Sequence, residues 1–373
     1  MSKEGYKTLL EGADIQPGFR EIAEKVIDQK RLTPEEGLYL FEKANLALLG
    51  SLANVVKERK HGKKAFFIRN FHIEPTNICI YNCKFCSYAH HKSGETWEFS
   101  MDEMLEKVNA APEDMCELHI TGGVHPKLDL GFFSTLLQKI RELRPGLHMK
   151  AYSAIELDYM FEEAGVSIEK GLKILKDSGL DSIPGGGAEI FDTEIREQIC
   201  DDKAFGKKWL EVHEVAHGLG IGSNATILYG HIENYAHRIH HLETLRQLQD
   251  RTGGFNTFIP LKFKSANNEM SHLGEVNAIE DMRNYAVSRI YLDNFPHIKA
   301  YWPMIGKQMS QLSLSFGVDD LDGTINDSTQ IYSLAGADDK NPIINTDGLV
   351  KLIKDAGCRP VERDSWYREV RVY

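Results

Sequence analysis

The stretch FFIRNFHIEPTNICIYNCKFCSY, residues 66–88, decides how the chain is read. Its first half is a short apolar run of Phe and Ile broken by single polar residues, the composition of a strand. Its second half places Cys79, Cys83 and Cys86 at C-x3-C-x2-C spacing on the loop that follows. Soft thiolate ligands favour iron–sulfur or zinc centres over hard cations. An iron–sulfur cluster with three protein ligands leaves one iron open, which is what direct binding of a cofactor or substrate requires. The alternative is a closed zinc shell completed by His90 or His91. Against it, structural zinc ligands usually come as two separated knuckles, whereas these three share one loop.

Outward from this loop the chain repeats one pattern. Seven further strand-like runs follow at 116–123, 148–156, 181–186, 222–230, 256–263, 297–305 and 312–320. Amphipathic stretches fill the gaps, among them Leu128–Leu143, Ile168–Asp177, Lys207–His217, Tyr235–Gln249, Val276–Ile290 and a closing Asp347–Asp355. Ser100 and Glu103 have the spacing of a capping box, in which each side chain satisfies a free amide at the helix start. Strand–helix alternation predicts a parallel sheet wrapped by helices. Eight units in about 300 residues fit an α/β fold of the (β/α)8 TIM type better than an open doubly wound sheet or a six-unit partial barrel. Residues 1–65 show helical spacing at Ile22, Ala23, Val26 and Ile27, and again at Leu38, Phe41, Ala44 and Leu48. They are expected to form an N-terminal helical extension packed on a barrel of residues 66–373 that ends in a helix.

Composition narrows the function classes. A net charge of -11 argues against a broad nucleic-acid surface, which needs clustered Lys and Arg. The N-terminus lacks the apolar core of a secretory signal, and no window approaches the roughly 20 apolar residues of a membrane span. No membrane contact and a cytoplasmic location are the default expectations. Six cysteines are too sparse for a disulfide scaffold. Isolated Cys116, Cys200 and Cys358 read as small apolar residues.

The cysteine loop, with Phe85 just before the last ligand, resembles the signature of the radical S-adenosylmethionine (SAM) superfamily. The resemblance implies a radical SAM barrel in which Cys79, Cys83 and Cys86 hold a [4Fe-4S] cluster. The open iron would chelate S-adenosyl-L-methionine, and an external one-electron donor such as flavodoxin or ferredoxin would reduce the cluster. It further implies that Gly122 and Gly123 let backbone approach the methionine moiety, and that Ser153 and Glu156 grip the ribose hydroxyls and amino group. Phe85 and Tyr88 would lie near the adenine. The plain alternative for the glycine pair is an ordinary βα turn.

The segments HIEPTNIC, TGGVHP, IPGGGAEIF, SNATILYGHIE, LRQLQDRTGGF and FGVDDLDGT, spread over residues 66–330, are similar to the aminofutalosine synthases of the futalosine route to menaquinone. That likeness implies addition of the 5′-deoxyadenosyl radical to 3-[(1-carboxyvinyl)oxy]benzoate, giving 6-amino-6-deoxyfutalosine, methionine and carbon dioxide or bicarbonate. SAM would be consumed as a co-substrate. An aromatic dicarboxylate calls for cationic or donor groups at the barrel mouth. His72, His125 and His231 are candidates for that contact and for proton transfer, with Lys262, Glu189, Asn224 and Tyr229 as substrate contacts. A lone strand histidine is as often structural. GGGAE at 185–189 lacks the Lys-Ser/Thr of a P-loop and reads as close backbone approach. His237, His240 and His241 read as a helix surface. Two alternatives stand: a hydrogen-abstracting enzyme of the cyclic dehypoxanthinylfutalosine synthase kind, and a zinc-stabilised barrel without redox chemistry.

Overall fold

The computed structural model describes residues 5–6, 8, 10, 15–94, 96–202, 206–326, 331–336 and 343–373. Part of the expected extension therefore lies outside the described residues.

Seven parallel strands run in chain order across one curled sheet: β2 (Asn70–Ile73), β3 (Glu117–Ile120), β4 (His148–Ala151), β5 (Ser182–Ile183), β6 (Gly222–Tyr229), β7 (Phe255–Lys262) and β8 (His297–Ile298). Five of the seven have only two to four residues, while β6 and β7 have eight each, and helices make the crossovers between them, as in other βα repeats. The sheet is then closed by a seam. Strand β1 (Lys64–Ile68) leads into β2 with only Arg69 between them, and β9 (Asp320–Gly323) pairs parallel with β1. On its other side Asp320 bridges to Lys299 just after β8, its carbonyl accepting from Ala300 N at 2.9 Å. The result is an α/β barrel of the TIM type with a seam at β8, β9 and β1.

The eighth strand departs from expectation. Residues 312–320 are not a strand; Lys307–Ser313 is helical and turns follow, with Gly317 at φ +91°. Leu312 is 46 % exposed and Leu314 is buried, so the two leucines do not share a face as alternate strand residues would. The closing strand begins only at Asp320. A second addition lies at the C-terminal side. After the short antiparallel pair β10 (Ile325–Asn326) and β11 (Ile343–Ile344) and the helix Thr346–Asp355, strand β12 (Arg359–Arg363) pairs parallel with the free edge of β1, and β13 (Glu369–Val372) pairs antiparallel with β12.

Three helices precede the barrel: α1 (Pro17–Ile27), α2 (Pro34–Glu42) and α3 (Leu46–His61). Thr33 and Glu36 form a full capping box for α2, and Asn45 caps α3. They cover two barrel helices, Tyr235–Thr252 and Ala278–Tyr291: Phe41 stacks on Tyr235 at 4.8 Å, and Arg246 and Arg283 donate to backbone carbonyls at Leu32 and Ala44. The end of α3 reaches the barrel floor, away from the cysteine loop. There His61 stacks on His297, and buried Asp319 accepts from Arg289, from His297 Nδ1 at 2.5 Å and from Ile298 N at 2.9 Å. Burial alone would raise this carboxyl, but Arg289 and His297 hold it well below the usual range. Among the described residues no helix is long and apolar enough to cross a membrane.

Candidate active site

The cysteine loop leaves the C-terminal end of β2, where a barrel places its chemistry. Its backbone is tied from several sides. Ile80 N donates to Val124 O at 3.0 Å, Gly123 N to Thr76 O at 2.8 Å, and Lys84 N to Ile199 O at 2.9 Å. Asn82 N meets Asp202 at 2.6 Å, and Ser87 Oγ donates to Ala266 O at 2.6 Å. The Val124 amide donates to Cys79 Sγ at 3.4 Å, a contact suited to a thiolate. The glycine pair makes this closeness possible. A Cβ on Gly123 would stand 2.3 Å from the Ile78 carbonyl oxygen, and one on Gly122 2.8 Å from that of Thr76. Their immediate work is to let the β3 loop lie on the cysteine loop.

None of the three cysteines is in a disulfide, and Cys83 is buried while Cys79 and Cys86 are partly exposed. The three do not form a group whose ligand atoms all lie within 4.8 Å of one another; among the described residues only His61, His297 and Asp319 do. A single zinc ion, with sulfur bonds of about 2.3 Å, draws its thiolates closer than that. Three soft donors spread more widely on one loop fit a cluster. Tyr88 buttresses the loop, its hydroxyl donating to Thr76 O at 3.0 Å and its ring edge-on to Trp97. Burial raises its pKa strongly, so it stays a neutral donor. This role differs from the adenine contact the sequence suggested. Phe85 packs at the edge of the core.

Ser153 and Glu156 form the capping box of the helix Ala154–Glu163, at the end of β4. The Glu156 carboxylate also accepts from Thr121 Oγ1 at 2.9 Å and Gly122 N at 3.3 Å. It thereby ties the glycine loop to the helix, and although burial raises its pKa, these donors oppose the shift. The GGGAE segment runs opposite: a Cβ on Gly186 would sit 3.9 Å from Ser153 Cβ. Arg196 and Trp209 fix it by donating to the carbonyls of Ala188 and Gly186 at 2.7 and 3.1 Å. Glu189 is buried at φ +45°, its carbonyl accepting from Leu228 N.

Below these groups the barrel holds a partly open cavity of about 190 Å³. Its polar wall is built by strand register. His72, His119 and Lys150 stand opposite one another on β2, β3 and β4, so all three point inward on one rung. Asn224, Thr226, Lys299 and Asp322 face them, with Ile259, Leu261 and Tyr301 supplying apolar wall. The charges are paired: Lys150 with Glu117 at 2.5 Å and Lys299 with Asp322 at 2.6 Å. Burial lowers His72 to about 4 and His119 well below its usual value, so both rings are neutral at pH 7. Asp322 is held at about 2, burial being outweighed by Lys299 and Lys150. It also sits at φ +65°, a left-handed conformation that Asp adopts more readily than most residues, and its own N–H donates to Asp320 Oδ1 at 2.6 Å. A larger cleft of about 730 Å³, lined by Trp97, Phe99 and Lys107, adjoins the cavity and shares Asn70 and His72 with it.

Other sequence candidates lie elsewhere. Tyr229 and Lys262 have the wrong strand parity: Asn224 and Thr226 on β6, and Ile259 and Leu261 on β7, point inward. Tyr229 and Lys262 instead point outward and both meet Asp281, at 2.8 and 2.9 Å. His231 is held by its own turn, donating to Leu228 O at 3.1 Å beside Glu233 at 3.3 Å, and burial lowers its pKa. His125 accepts from Lys127 N at 3.0 Å and lies 3.4 Å from Glu98. The structure thus brings His72 and Asn224 into the cavity and leaves His125, His231, Tyr229 and Lys262 outside its wall. His119, Lys150, Lys299 and Asp322 are additions that sequence reading missed. The run CELHITGG carried the signal, since His119 precedes Thr121 by two residues and so shares its face.

A barrel whose β2 loop presents three cysteines beside a glycine-lined turn defines a class, and comparison with known proteins names it. The radical SAM superfamily profile matches residues 73–245, and a second, the CofH/MqnC C-terminal region, matches residues 252–372. The chain belongs to the radical SAM superfamily and is an enzyme of that class. It is 42 % identical to aminodeoxyfutalosine synthase of Thermus thermophilus, over 96 % of this chain and 97 % of that protein. It is 34 % identical to cyclic dehypoxanthine futalosine synthase of Streptomyces coelicolor, over 98 % of this chain and 91 % of that protein. Among solved structures it resembles methylornithine synthase in fold, with a TM-score of 0.73 and 18 % identity, covering 91 % of this chain and 97 % of that one.

Proposed function

We propose that this enzyme is an aminofutalosine synthase, joining the adenosyl group of SAM to 3-[(1-carboxyvinyl)oxy]benzoate to give 6-amino-6-deoxyfutalosine for menaquinone biosynthesis. The observation that carries this reading is the cavity inside the barrel, where apolar Ile259, Leu261 and Tyr301 face two neutral histidines and two carboxylate-paired lysines. An aromatic ring bearing carboxylates matches that division. The near full-length likeness to the Thermus thermophilus synthase supports it.

In this reading Cys79, Cys83 and Cys86 hold a [4Fe-4S] cluster. When bound, that cluster supplies the electron that splits SAM into methionine and a 5′-deoxyadenosyl radical. The chain's own residues do the rest by position. Glu156, Ser153 and Gly186 border the place of the adenosyl group, and Thr121 links them to the cavity. Lys150 and Lys299, each paired with a carboxylate, brace the polar wall, and His72 and His119 stand between them as neutral rings. The three helices between Pro17 and His61 form an extension that braces the catalytic barrel, which begins at β1 with Lys64 rather than at residue 66. A one-electron donor protein reduces the cluster from the loop side, where Ile80 is 41 % exposed.

The test is anaerobic incubation of reduced, cluster-loaded enzyme with SAM and the enolpyruvyl benzoate, followed by mass spectrometry. An adenosine-containing adduct is expected. Release of 5′-deoxyadenosine with the aromatic substrate untouched would instead favour the hydrogen-abstracting chemistry of the cyclic dehypoxanthine futalosine synthase relative.

A further inference from the structure

We propose that the imidazoles of His72 and His119 form the seat for the ring carboxylate of the substrate and take up a proton when it binds. This rests on the function proposed above, which supplies the substrate's identity.

The two rings sit side by side on one rung of the sheet, centroids 4.9 Å apart and inclined at 61°. The Nε2 atom of each is shielded from solvent and has no hydrogen-bond partner. Buried ring nitrogens are nearly always satisfied, so two adjacent imidazoles of the cavity wall that each carry an unsatisfied one point to a missing partner, which a small turn of the rings would bring within reach. Several other polar groups on the cavity wall are engaged: Thr226 Oγ1 donates to Gly185 O, Thr121 to Glu156, Lys150 pairs with Glu117 and Lys299 with Asp322, while Asn70 Oδ1 beside His72 also lacks a partner and can join the seat only as an acceptor.

Charge and depth specify the partner. The titratable groups facing the imidazoles are Glu117 and Lys150 on β3 and β4, Lys299 after β8, and Asp322 on β9. These cancel in pairs, leaving an uncharged floor around two neutral rings. A carboxylate arriving there adds one negative charge, which raises the affinity of the imidazoles for a proton. One proton shared by the pair restores neutrality and makes a charge-assisted hydrogen bond. Depth then separates the two carboxylates of the substrate. His119 lies two residues below Thr121, about 7 Å down the strand from the residue that touches Glu156. The vinyl ether must meet the adenosyl carbon at the mouth, so the group that reaches the rung is the carboxylate on the far side of the ring.

The test is calorimetric titration of the cluster-loaded enzyme, without reductant, in buffers of different ionisation enthalpy near pH 7. The ligands are 3-[(1-carboxyvinyl)oxy]benzoate and the corresponding phenyl ether, which lacks the ring carboxylate. The wild type is expected to take up close to one proton with the benzoate, to bind it about 10–100-fold more tightly than the phenyl ether, and to bind it more tightly as pH falls from 8 to 6. His119→Gln and His72→Gln are expected to lose both the proton uptake and the preference. Benzoate binding by the wild type without proton uptake overturns the proposal, as does a preference that survives both substitutions. The two readings fail separately. Proton-linked binding with no adenosine adduct upholds the seat and refutes the synthase, whereas adduct formation without proton uptake does the reverse.

Discussion

The backbone amide of Val124 donates to the sulfur of Cys79 at 3.4 Å, so the turn after β3 and the loop after β2 form one unit. That contact exists because Gly123 has no side chain. Gly123→Ala would place a methyl 2.3 Å from the carbonyl oxygen of Ile78, which is backbone and cannot swing aside. We expect the substitution to misplace Cys79, with iron and sulfide per chain falling several-fold and a stability loss of about 1–3 kcal/mol. Iron and sulfide analysis after anaerobic reconstitution reads the first, and a denaturant midpoint the second.

Replacing Cys79, Cys83 or Cys86 by Ala should abolish both cluster assembly and turnover. Cys116→Ser offers the contrast. Its thiol is remote from the loop, bonded to Arg69 O, and burial pushes its pKa up to about 11. Iron content should match the wild type in that variant; a cluster-free Cys116→Ser protein would show that the ligand set has been misread.

Lys262 and Tyr229 share Asp281 on the outer side of the barrel. Lys262→Met should therefore cost stability, about 1–3 kcal/mol, because it leaves the Asp281 carboxylate short of its cation. The Michaelis constant for the aromatic substrate should change less than threefold. A hundredfold rise would mean that Lys262 reaches the substrate after all.

Stability should fall as the solution is acidified from pH 7 towards 4. Burial holds His61, His72 and His217 at about 4 and His241 at about 3, whereas each titrates near 6.5 when unfolded. Between those values the unfolded chain binds more protons, so acid favours unfolding by up to about 1.4 kcal/mol per pH unit for each such histidine. The depressed carboxyls add to this only below about pH 4, because their unfolded values lie there. Urea midpoints measured from pH 7.5 to 5 should show the decline; a flat profile would contradict the burial of these rings.

At the barrel floor Asp319→Ala strands the buried guanidinium of Arg289, and a loss of about 3–5 kcal/mol is expected. The cluster of His61, His297 and Asp319 resembles a metal site in its spacing alone. The two rings are stacked, 14° from parallel, so their in-plane lone pairs do not converge on one point. Added zinc should leave the melting temperature of the cluster-loaded enzyme, whose cysteines are occupied, unchanged.

Local signals were the legible ones. The cysteine loop, the Ser100 and Glu103 box and the strand–helix rhythm all depend on neighbours in sequence, and each is found in the structure. Which face of each strand turns inward was harder to read. Strand β5 has only two residues, and β6 is buried along nearly all its length, so apolar alternation does not reveal parity there. The outward turn of Tyr229 onto Asp281 is therefore not legible from the pattern, whereas the inward turn of His119 follows from its place two residues before Thr121. The seam was hidden for another reason. Strand β9 is the sequence DLDG, too short and polar for its pattern to announce a strand, and it is held by pairing with β1 and by Arg363 on Asp320.

The placement of β12 against β1 has a consequence for how the protein is made. Residues 64–68 emerge from the ribosome early, yet one edge of that strand is matched by residues 320–323 and the other by residues 359–362. Nearly three hundred residues must be synthesised before both edges are covered. The first strand thus waits with open hydrogen bonds while its neighbours fold, and contacts so distant in sequence form slowly. During that interval the unclosed seam is the natural point for chaperone capture and for aggregation. Truncation before residue 359 should therefore expose the same edge permanently, yielding a chain whose central barrel is intact in sequence but sticky in solution.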